Sequence, residues 1–352
     1  MTPSQTPRAV IFGCAGLRLT PAERVLFRAA APWGAILFAR NIDTPEQVRG
    51  LTDELRAATR PDLAILIDQE GGRVQRMRPP HWRDWPAALD QCQRTADPAR
   101  AMYLRGRLIA AELHACGIDV NCAPLADIAR TDTHPILRNR CYGTTPDTVI
   151  RNARACAEGL MAGGVLPVLK HIPGHGRARL DSHLDLPVID TPEADLRATD
   201  FAAFRALAGL PLGMTAHLVF SAIDPDAPAT LSRRVIEIIR TQIGFCGLLM
   251  TDDISMQALR GPVVARAQAA LHAGCDLVLH CNGALDEMTA LAEACPLLDA
   301  DGLARAQLAL GQRRDPDSAD LAACAAELAE LMASDDAMGG QEGKQHGSGT
   351  LG

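Results

Sequence analysis

Aromatic residues are scarce in this 352-residue sequence, which has only seven phenylalanines, three tryptophans and two tyrosines. Hydrophobic residues nevertheless make up 47% of the chain, enough for a large core built mainly from alanine, leucine, valine and isoleucine. A chain of this length suits one barrel of alternating strands and helices, a fold that commonly takes about 250 residues or more.

The sequence also lacks the marks of nucleic-acid binding and of membrane insertion. Its formal net charge is -7, whereas a nucleic-acid surface needs an excess of basic residues. No apolar run approaches the roughly 18 residues that a membrane helix requires. The N-terminal residues show no basic segment followed by an apolar one. We therefore expect no signal peptide, no membrane span and no nucleic-acid partner.

Cysteine pairs at metal-binding spacing are absent as well. The 11 cysteines are scattered singly, without a C-x-x-C pair, which argues against a disulfide framework and against a structural zinc site. Cys14, Cys122, Cys246 and Cys275 lie in apolar runs, where we expect them to act as small buried hydrophobic residues. This usage is typical of a reducing compartment.

Eight short apolar runs alternate with amphipathic segments along the chain. They cover residues 9–16, 35–40, 63–69, 118–124, 165–171, 212–219, 247–252 and 276–281. Nearly continuous hydrophobicity is typical of strands buried on both faces of a parallel sheet. Helices are predicted over residues 44–58, 97–116, 146–160, 193–208, 232–243, 262–273 and 285–294. The pattern favours a TIM-type (β/α)8 barrel over a Rossmann-type sheet, whose G-x-G-x-x-G turn is missing after the first run.

The end of the chain differs in composition from the rest. From residue 335 it reads DDAMGGQEGKQHGSGTLG, which is polar and rich in glycine. We expect one catalytic domain over residues 1–334 and a disordered tail over residues 335–352.

Polar residues gather where the predicted strands end. The third run leads into DQEGGRVQR, the fifth ends in Lys170 and His171, the sixth leads to His217, and the seventh ends in Asp252 and Asp253. In a parallel barrel these ends form one rim, where active sites are found. The sequence therefore predicts an enzyme rather than a purely structural barrel.

The segment KHIPGHGRARLDSH, residues 170–183, is the most specific of these strand ends. Its Pro-Gly step breaks regular structure, and the loop returns with Asp181 two residues before His183. A carboxylate bonded to that imidazole would fix its tautomer and let it exchange a proton near pH 7. Two alternatives remain open here: His171, His175 and His183 could bind a metal together with Asp181, or His175 could simply brace the loop.

Two consecutive carboxylates end the seventh run. A carboxylate at the end of a buried strand is costly unless it is functional or well bonded. Since side chains alternate along a strand, one of Asp252 and Asp253 should face the site and the other should be structural. Strand direction alone does not say which.

KHIPGHGRARLDSH resembles the KHFPGHG-x4-DSH signature of bacterial β-N-acetylhexosaminidases in glycoside hydrolase family 3. The segments GAILFARNI, DQEGGRVQR, MTAHLVFSAIDPDAPATLSRRVI, MTDDISM and AGCDLVLHCNG also resemble family segments, in the expected order. The resemblance implies a (β/α)8 barrel that removes terminal β-linked N-acetylglucosamine. The implied substrates are cell-wall fragments bearing 1,6-anhydro-N-acetylmuramic acid, with or without peptide, in the cytoplasm.

The resemblance also assigns roles. Asp252 matches the nucleophile of a retaining reaction, and His183 matches the acid/base, supported by Asp181. The implied sugar-binding residues are Asp68, Arg76, Arg140, Lys170 and His171. Arg140 lies in RNRCYG, where Arg138 and Cys141 replace the glycine and serine of the family motif. No cofactor or metal is implied, and we expect a monomer. A metal-dependent hydrolase and a non-catalytic sugar-binding barrel are the competing interpretations.

Overall fold

The computed structural model describes residues 6–180 and 186–333. Eight parallel strands close into a barrel, because the first strand pairs with the last through Val10 and Val278. The strands are β1 Arg8–Phe12, β2 Pro32–Leu37, β3 Ala64–Ile67, β4 Val120–Asn121, β5 Leu166–Ile172, β6 Leu212–Thr215, β7 Leu248–Asp253 and β8 Leu277–His280. Each overlaps one of the eight predicted runs, so the predicted (β/α)8 barrel is confirmed.

Alternation along the strands divides the core into two layers. Ile11 packs inside the barrel, whereas its neighbours Val10 and Phe12 pack outward against the helices. The interior is filled by aliphatic side chains together with the fully buried Trp33. Burying one large apolar side chain contributes about 1.5–3 kcal/mol, so many aliphatic residues can make up for the shortage of aromatics.

Helices connect the strands and cover the outside of the barrel. Thr44, Asp97 and Thr145 each cap a helix that starts with proline, their side chains accepting hydrogen bonds from backbone N–H groups of the first turn. The α-helices are α1 Pro21–Ala30, α2 Pro45–Ala58, α3 Ala88–Gln93, α4 Pro98–Ala115, α5 Pro135–Arg138, α6 Pro146–Ala162, α7 Glu193–Ala198, α8 Asp200–Ala206, α9 Arg233–Ile238, α10 Val263–Ala273, α11 Leu285–Ala294, α12 Ala300–Leu310 and α13 Leu321–Ala333.

Two of the predicted helices are interrupted. The helix predicted over residues 193–208 breaks at Thr199, whose hydroxyl donates to the Asp200 carboxylate. The Asp200 carboxylate is buried and forms an ion pair with Arg177 at 2.8 Å. Because Arg177 lies in the loop after β5, the helix break lets Asp200 anchor that loop. The helix predicted over residues 232–243 changes to a π-helical turn at Ile239–Ile243 and ends at Gly244, whose φ is 77°.

The cysteine prediction is wrong at one position. Cys14, Cys122 and Cys275 are buried, but Cys246 is exposed. It lies two residues before β7 begins at Leu248, in a turn where its thiol contacts the Gly244 carbonyl. Cys246 is therefore exposed because it precedes β7 and lies outside the barrel wall.

A buried carboxylate holds the end of the barrel opposite the strand termini described below. Asp276, just before β8, pairs with Arg240 and Arg305, each at 2.7 Å, and accepts the Leu249 backbone N–H at 2.8 Å. Over the two described ranges, no helix is long and apolar enough to cross a membrane. The predicted tail, residues 335–352, lies outside the described residues.

Candidate active site

A cavity of about 260 Å³ opens at the carboxyl ends of the barrel strands; we call it the central cavity. Six of the eight residues predicted for the site line it: Asp68, Arg76, Arg140, Lys170, His171 and Asp252. They come from the loops after β3 and β4 and from the ends of β5 and β7. The other two, Asp181 and His183, lie outside the described residues, so their placement stays a prediction.

The two consecutive aspartates at the end of β7 have different environments. Both carboxylate oxygens of Asp253 are occupied, by the Ser255 backbone N–H at 3.1 Å, the Ser255 hydroxyl at 2.8 Å and the Cys281 backbone N–H at 3.1 Å. Asp252 accepts one hydrogen bond within the described part of the chain, from the adjacent backbone N–H at 2.8 Å. Asp252 is therefore the carboxylate available to a ligand in the cavity.

Asp252 is held in its ionised form. Burial would raise the pKa of this carboxyl, but His217, His171, a backbone N–H and Lys170 together lower that pKa below its usual range. The group is thus a carboxylate at neutral pH. A buried carboxylate that accepts few hydrogen bonds can act as a nucleophile or stabilise a developing positive charge.

An ion-pair network forms another part of the cavity wall. The Lys170 ammonium lies between two carboxylates, 3.0 Å from Asp68 and 2.6 Å from Glu70. Arg140 donates two hydrogen bonds to Glu70, at 2.8 and 2.9 Å, and Arg76 donates one to Asp68 at 3.1 Å. The inner pair of Lys170 and Glu70 is buried, whereas Asp68, Arg76 and Arg140 keep part of their surface exposed to the cavity.

Mutual pairing keeps every member of this network charged. Burial opposes ionisation of Asp68 and Glu70, yet the neighbouring Lys170 and arginines hold both pKa values below the usual range. Burial likewise opposes the charged forms of Lys170 and Arg140, and the two carboxylates raise both pKa values above the usual range. The wall therefore presents fixed donors and acceptors, which suits recognition of hydroxyl and amide groups.

The loop that carries Asp68 and Glu70 is shaped by a glycine pair. Gly71 and Gly72 adopt φ values of 103° and 57°, and a Cβ at Gly71 would meet the Arg105 guanidinium at 2.0 Å. Arg105, fully buried in α4, donates to the carbonyls of Glu70 and Pro86. The Arg105 side chain thus connects the loop after β3 to helix α4 outside the barrel and fixes the position of Glu70.

Three histidines surround Asp252 and differ in their bonding. His171 Nδ1 lies 2.7 Å from the Asp127 carboxylate, and His217 Nε2 donates to the Asp253 carbonyl at 3.0 Å. Burial and the nearby His171 lower the pKa of His175 to about 4, and burial also lowers the pKa of His217. His175 and His217 are therefore neutral at pH 7.

Sequence reasoning missed three residues of this site. Glu70 belonged to the recognised DQEGG run, but its chain position gave no sign that it pairs with Arg140. His217 was noted only as the end of a strand. Asp127 follows the fourth run, and its place on the same rim as the other strand ends is the signal in the sequence that could have identified it.

Binding of a metal would require several ligand side chains to converge on one point. Over residues 6–180 and 186–333, no group of three or more histidine, cysteine, aspartate or glutamate side chains is arranged to hold a metal ion. His183, one of the four ligands that the metal interpretation requires, lies outside those ranges.

Comparison with known proteins agrees with this geometry. Residues 29–314 match the model of the glycosyl hydrolase family 3 N-terminal domain. A β-hexosaminidase from Alkalilimnicola ehrlichii is 42% identical over 78% of this chain and 80% of its own. One from Chromobacterium violaceum is 36% identical over 96% of this chain and 98% of its own. Among solved structures, NagZ from Neisseria gonorrhoeae in complex with N-trifluoroacetyl-D-glucosamine superposes with a TM-score of 0.85 and 32% identity, covering 94% of this chain and 100% of that one.

Proposed function

The chain belongs to glycoside hydrolase family 3 and is a β-N-acetylhexosaminidase of that family; from this premise we propose that it is a retaining exo-β-N-acetylglucosaminidase acting on peptidoglycan fragments. The proposed substrate is N-acetylglucosamine linked to 1,6-anhydro-N-acetylmuramic acid, with or without a peptide. Cytoplasmic location and a monomeric state belong to the same proposal.

One observation carries the catalytic part of the proposal: among the described residues, Asp252 accepts a hydrogen bond only from the adjacent backbone N–H, and its ionised carboxylate lines the central cavity together with the charged side chains of Asp68, Arg140 and Lys170. The neighbouring Asp253 has the same chemistry, but both of its oxygens accept hydrogen bonds, one from two backbone N–H groups and the other from the Ser255 hydroxyl. A nucleophile must keep an oxygen lone pair available for the reacting carbon, and Asp252 meets that requirement.

The proposed reaction proceeds by two displacements. An oxygen of Asp252 attacks the anomeric carbon, the bond from that carbon to the aglycone oxygen breaks, and His183 supplies a proton to the departing oxygen. His183 then removes a proton from water, which attacks the same carbon and releases Asp252. Two inversions retain the anomeric configuration. Asp181 would hold the His183 imidazole in the tautomer that this exchange needs.

The size and polarity of the cavity support one sugar ring as the bound group. Its volume of about 260 Å³ lies just below the roughly 300–1,000 Å³ typical of ligand pockets. Asp68, Arg76 and Arg140 offer oriented acceptors and donors for hydroxyl groups and for an acetamido group. The structural neighbour crystallised with N-trifluoroacetyl-D-glucosamine supports an N-acylglucosamine in this position.

The whole proposal is tested by product analysis with the purified protein. We expect release of N-acetylglucosamine from the anhydro-disaccharide and from chitobiose, the β-anomer appearing first by proton NMR, and no turnover of an aryl β-glucoside. Dialysis against a chelator should leave the rate unchanged, which separates this reaction from metal-dependent hydrolysis. Initial release of the α-anomer would contradict the retaining mechanism.

Arg73 provides a further test of the aglycone. Its side chain is exposed at the cavity, and unlike Arg76 and Arg140 it forms no ion pair or hydrogen bond with any described residue. A guanidinium at this position suits the carboxylate of the muramic acid aglycone. We expect Arg73→Ala to lower kcat/KM for the anhydro-disaccharide about tenfold, equivalent to ~1.4 kcal/mol. The same variant should leave kcat/KM for the lactyl methyl ester of that substrate unchanged.

Two variants serve as controls for this prediction. Arg73→Lys keeps the positive charge and should retain most of the preference, whereas Arg94→Ala removes an exposed arginine outside the cavity and should change neither rate. Equal losses on the acid and its methyl ester would show that Arg73 does not recognise the aglycone carboxylate.

A further inference from the structure

Asp127 is a fully buried carboxylate to which the proposed reaction gives no part. It lies between β4 and α5, in a segment that pairs with the end of β5: the Ala126 backbone N–H donates to the Lys170 carbonyl at 2.8 Å, and Leu125 bridges to Lys170. This pairing places Asp127 directly beside the two cavity residues that end β5, Lys170 and His171.

Three donors from one turn converge on this carboxylate. Oδ2 lies 2.7 Å from His171 Nδ1 and 3.3 Å from the His171 backbone nitrogen, and Oδ1 accepts the His175 backbone N–H at 2.6 Å. Burial would raise the pKa of Asp127, but His171, His175 and their hydrogen bonds hold that pKa below its usual range. The carboxylate is thus ionised and held in one orientation from both sides.

This contact fixes which nitrogen of His171 carries a proton. An ionised carboxylate can only accept, so Nδ1 must donate to it. Nε2 is then the nitrogen that remains for the central cavity, which the His171 side chain lines together with Asp252. Nε2 of a neutral His171 would accept a hydrogen bond from a group in the cavity, and Nε2 of a protonated His171 would donate one. The ring orientation is the same in both forms.

We infer that Asp127 is a positioning residue for the reaction: it does not itself line the cavity, yet its carboxylate holds the ring of His171, which does, with Nε2 directed at the bound substrate. The arrangement is a carboxylate–histidine pair distinct from the predicted pair of Asp181 and His183. Asparagine at this position offers only one acceptor oxygen, and its amide would meet a donor on the other side. The kinetic part of the test rests on the proposed function; the spectroscopic part does not.

The tautomer of His171 is the direct test. In protein labelled with ¹⁵N-histidine, the His171 signals are identified by their loss in His171→Gln. We expect the neutral His171 ring to carry its proton on Nδ1, and Asp127→Asn to abolish that preference. A neutral His171 protonated on Nε2 in the unchanged protein would overturn the inference, even if Asp127→Asn does not fold.

Kinetics test the same point through activity. Asp127→Asn should lower kcat/KM about 100-fold, the scale expected for misplacement of a binding group. Asp127→Asn combined with His171→Gln should be no slower than His171→Gln alone, since both act through one side chain. If the double variant instead loses kcat/KM by the product of the two single-variant factors, the inference is overturned.

Asp276→Asn is the matched control, because it removes a buried carboxylate charge at the other end of the barrel. It should lower thermal stability but leave kcat/KM and the His171 tautomer unchanged. If the unchanged protein hydrolyses no N-acetylglucosaminide, the proposed function fails, and the tautomer still decides the role of Asp127.

Discussion

Replacing Asp252 by asparagine is expected to abolish turnover of an aryl N-acetylglucosaminide while leaving the fold intact. The change removes the charge and the nucleophilic oxygen but keeps the size of the side chain. Loss of the nucleophile in another class of hydrolase lowers kcat by on the order of 10⁶-fold, and we expect a loss of that scale. Initial rates measured at saturating substrate, with circular dichroism to check the fold, provide the measurement.

Asp253→Asn is the matched control for this prediction. It makes the same chemical change one residue further along β7, where the carboxylate bonds Ser255 and Cys281. An asparagine oxygen can still accept the two backbone N–H groups, so we expect lower stability but measurable turnover. Near-normal activity of Asp252→Asn would exclude Asp252 as the nucleophile.

The intermediate itself can also be captured. A 5-fluoro-N-acetylglucosaminyl fluoride forms the glycosyl-enzyme with loss of fluoride, and the ring fluorine slows its hydrolysis. We expect the added mass on the peptide that contains Asp252, and no such adduct in Asp252→Asn. An adduct on a different peptide would assign the nucleophile elsewhere.

Replacing His183 by alanine is expected to have an effect that depends on the leaving group. Without a proton donor, kcat/KM for the anhydro-disaccharide should fall by about 10²–10⁴-fold, the usual contribution of general acid catalysis. A dinitrophenyl glycoside needs no proton to depart and should lose much less. Because kcat/KM reports the first displacement, a plot against the pKa of the leaving group measures the effect.

A histidine outside the cavity supplies the comparison. His272 is exposed in the last turn of α10, and His272→Ala should leave both substrates unaffected. Equal losses for His183→Ala on the two substrates would argue against its role as the acid. Asp181 can be tested in the same way. We expect Asp181→Asn to lower kcat/KM with the same dependence on the leaving group, but to a smaller degree.

The charged wall of the cavity shows why these residues tolerate burial. Lys170 is 2% exposed and Glu70 3%, and an unpaired charge in such surroundings would be strongly destabilising. Each charge instead has at least one partner within 3.1 Å. The pairing therefore fixes the orientation of these side chains before substrate arrives, which reduces the reorganisation needed during the reaction.

The sequence by itself determined the barrel and most of the predicted rim. Eight apolar runs with helices between them allow few other architectures, and the parallel topology brings strand ends together whatever the loops do. For that reason Asp68, Lys170, His171 and Asp252 could be placed on one rim before any contact was known. The first residues of helices could also be predicted from the sequence, because a cap such as Thr44 followed by proline depends on neighbouring residues only.

Only the tertiary structure decided which of these groups are bonded to one another. Strand alternation by itself does not distinguish Asp252 from Asp253. Their environments differ because Ser255 and Cys281, the residue that follows β8, donate hydrogen bonds to Asp253. Glu70 and Arg140, 70 residues apart, and Asp127 and His171, 44 apart, meet only after the barrel closes. Hydrogen bonds act over about 3 Å, so partners distant in sequence leave no local pattern; the same limit hid the Asp200 anchor that breaks the predicted helix at Thr199.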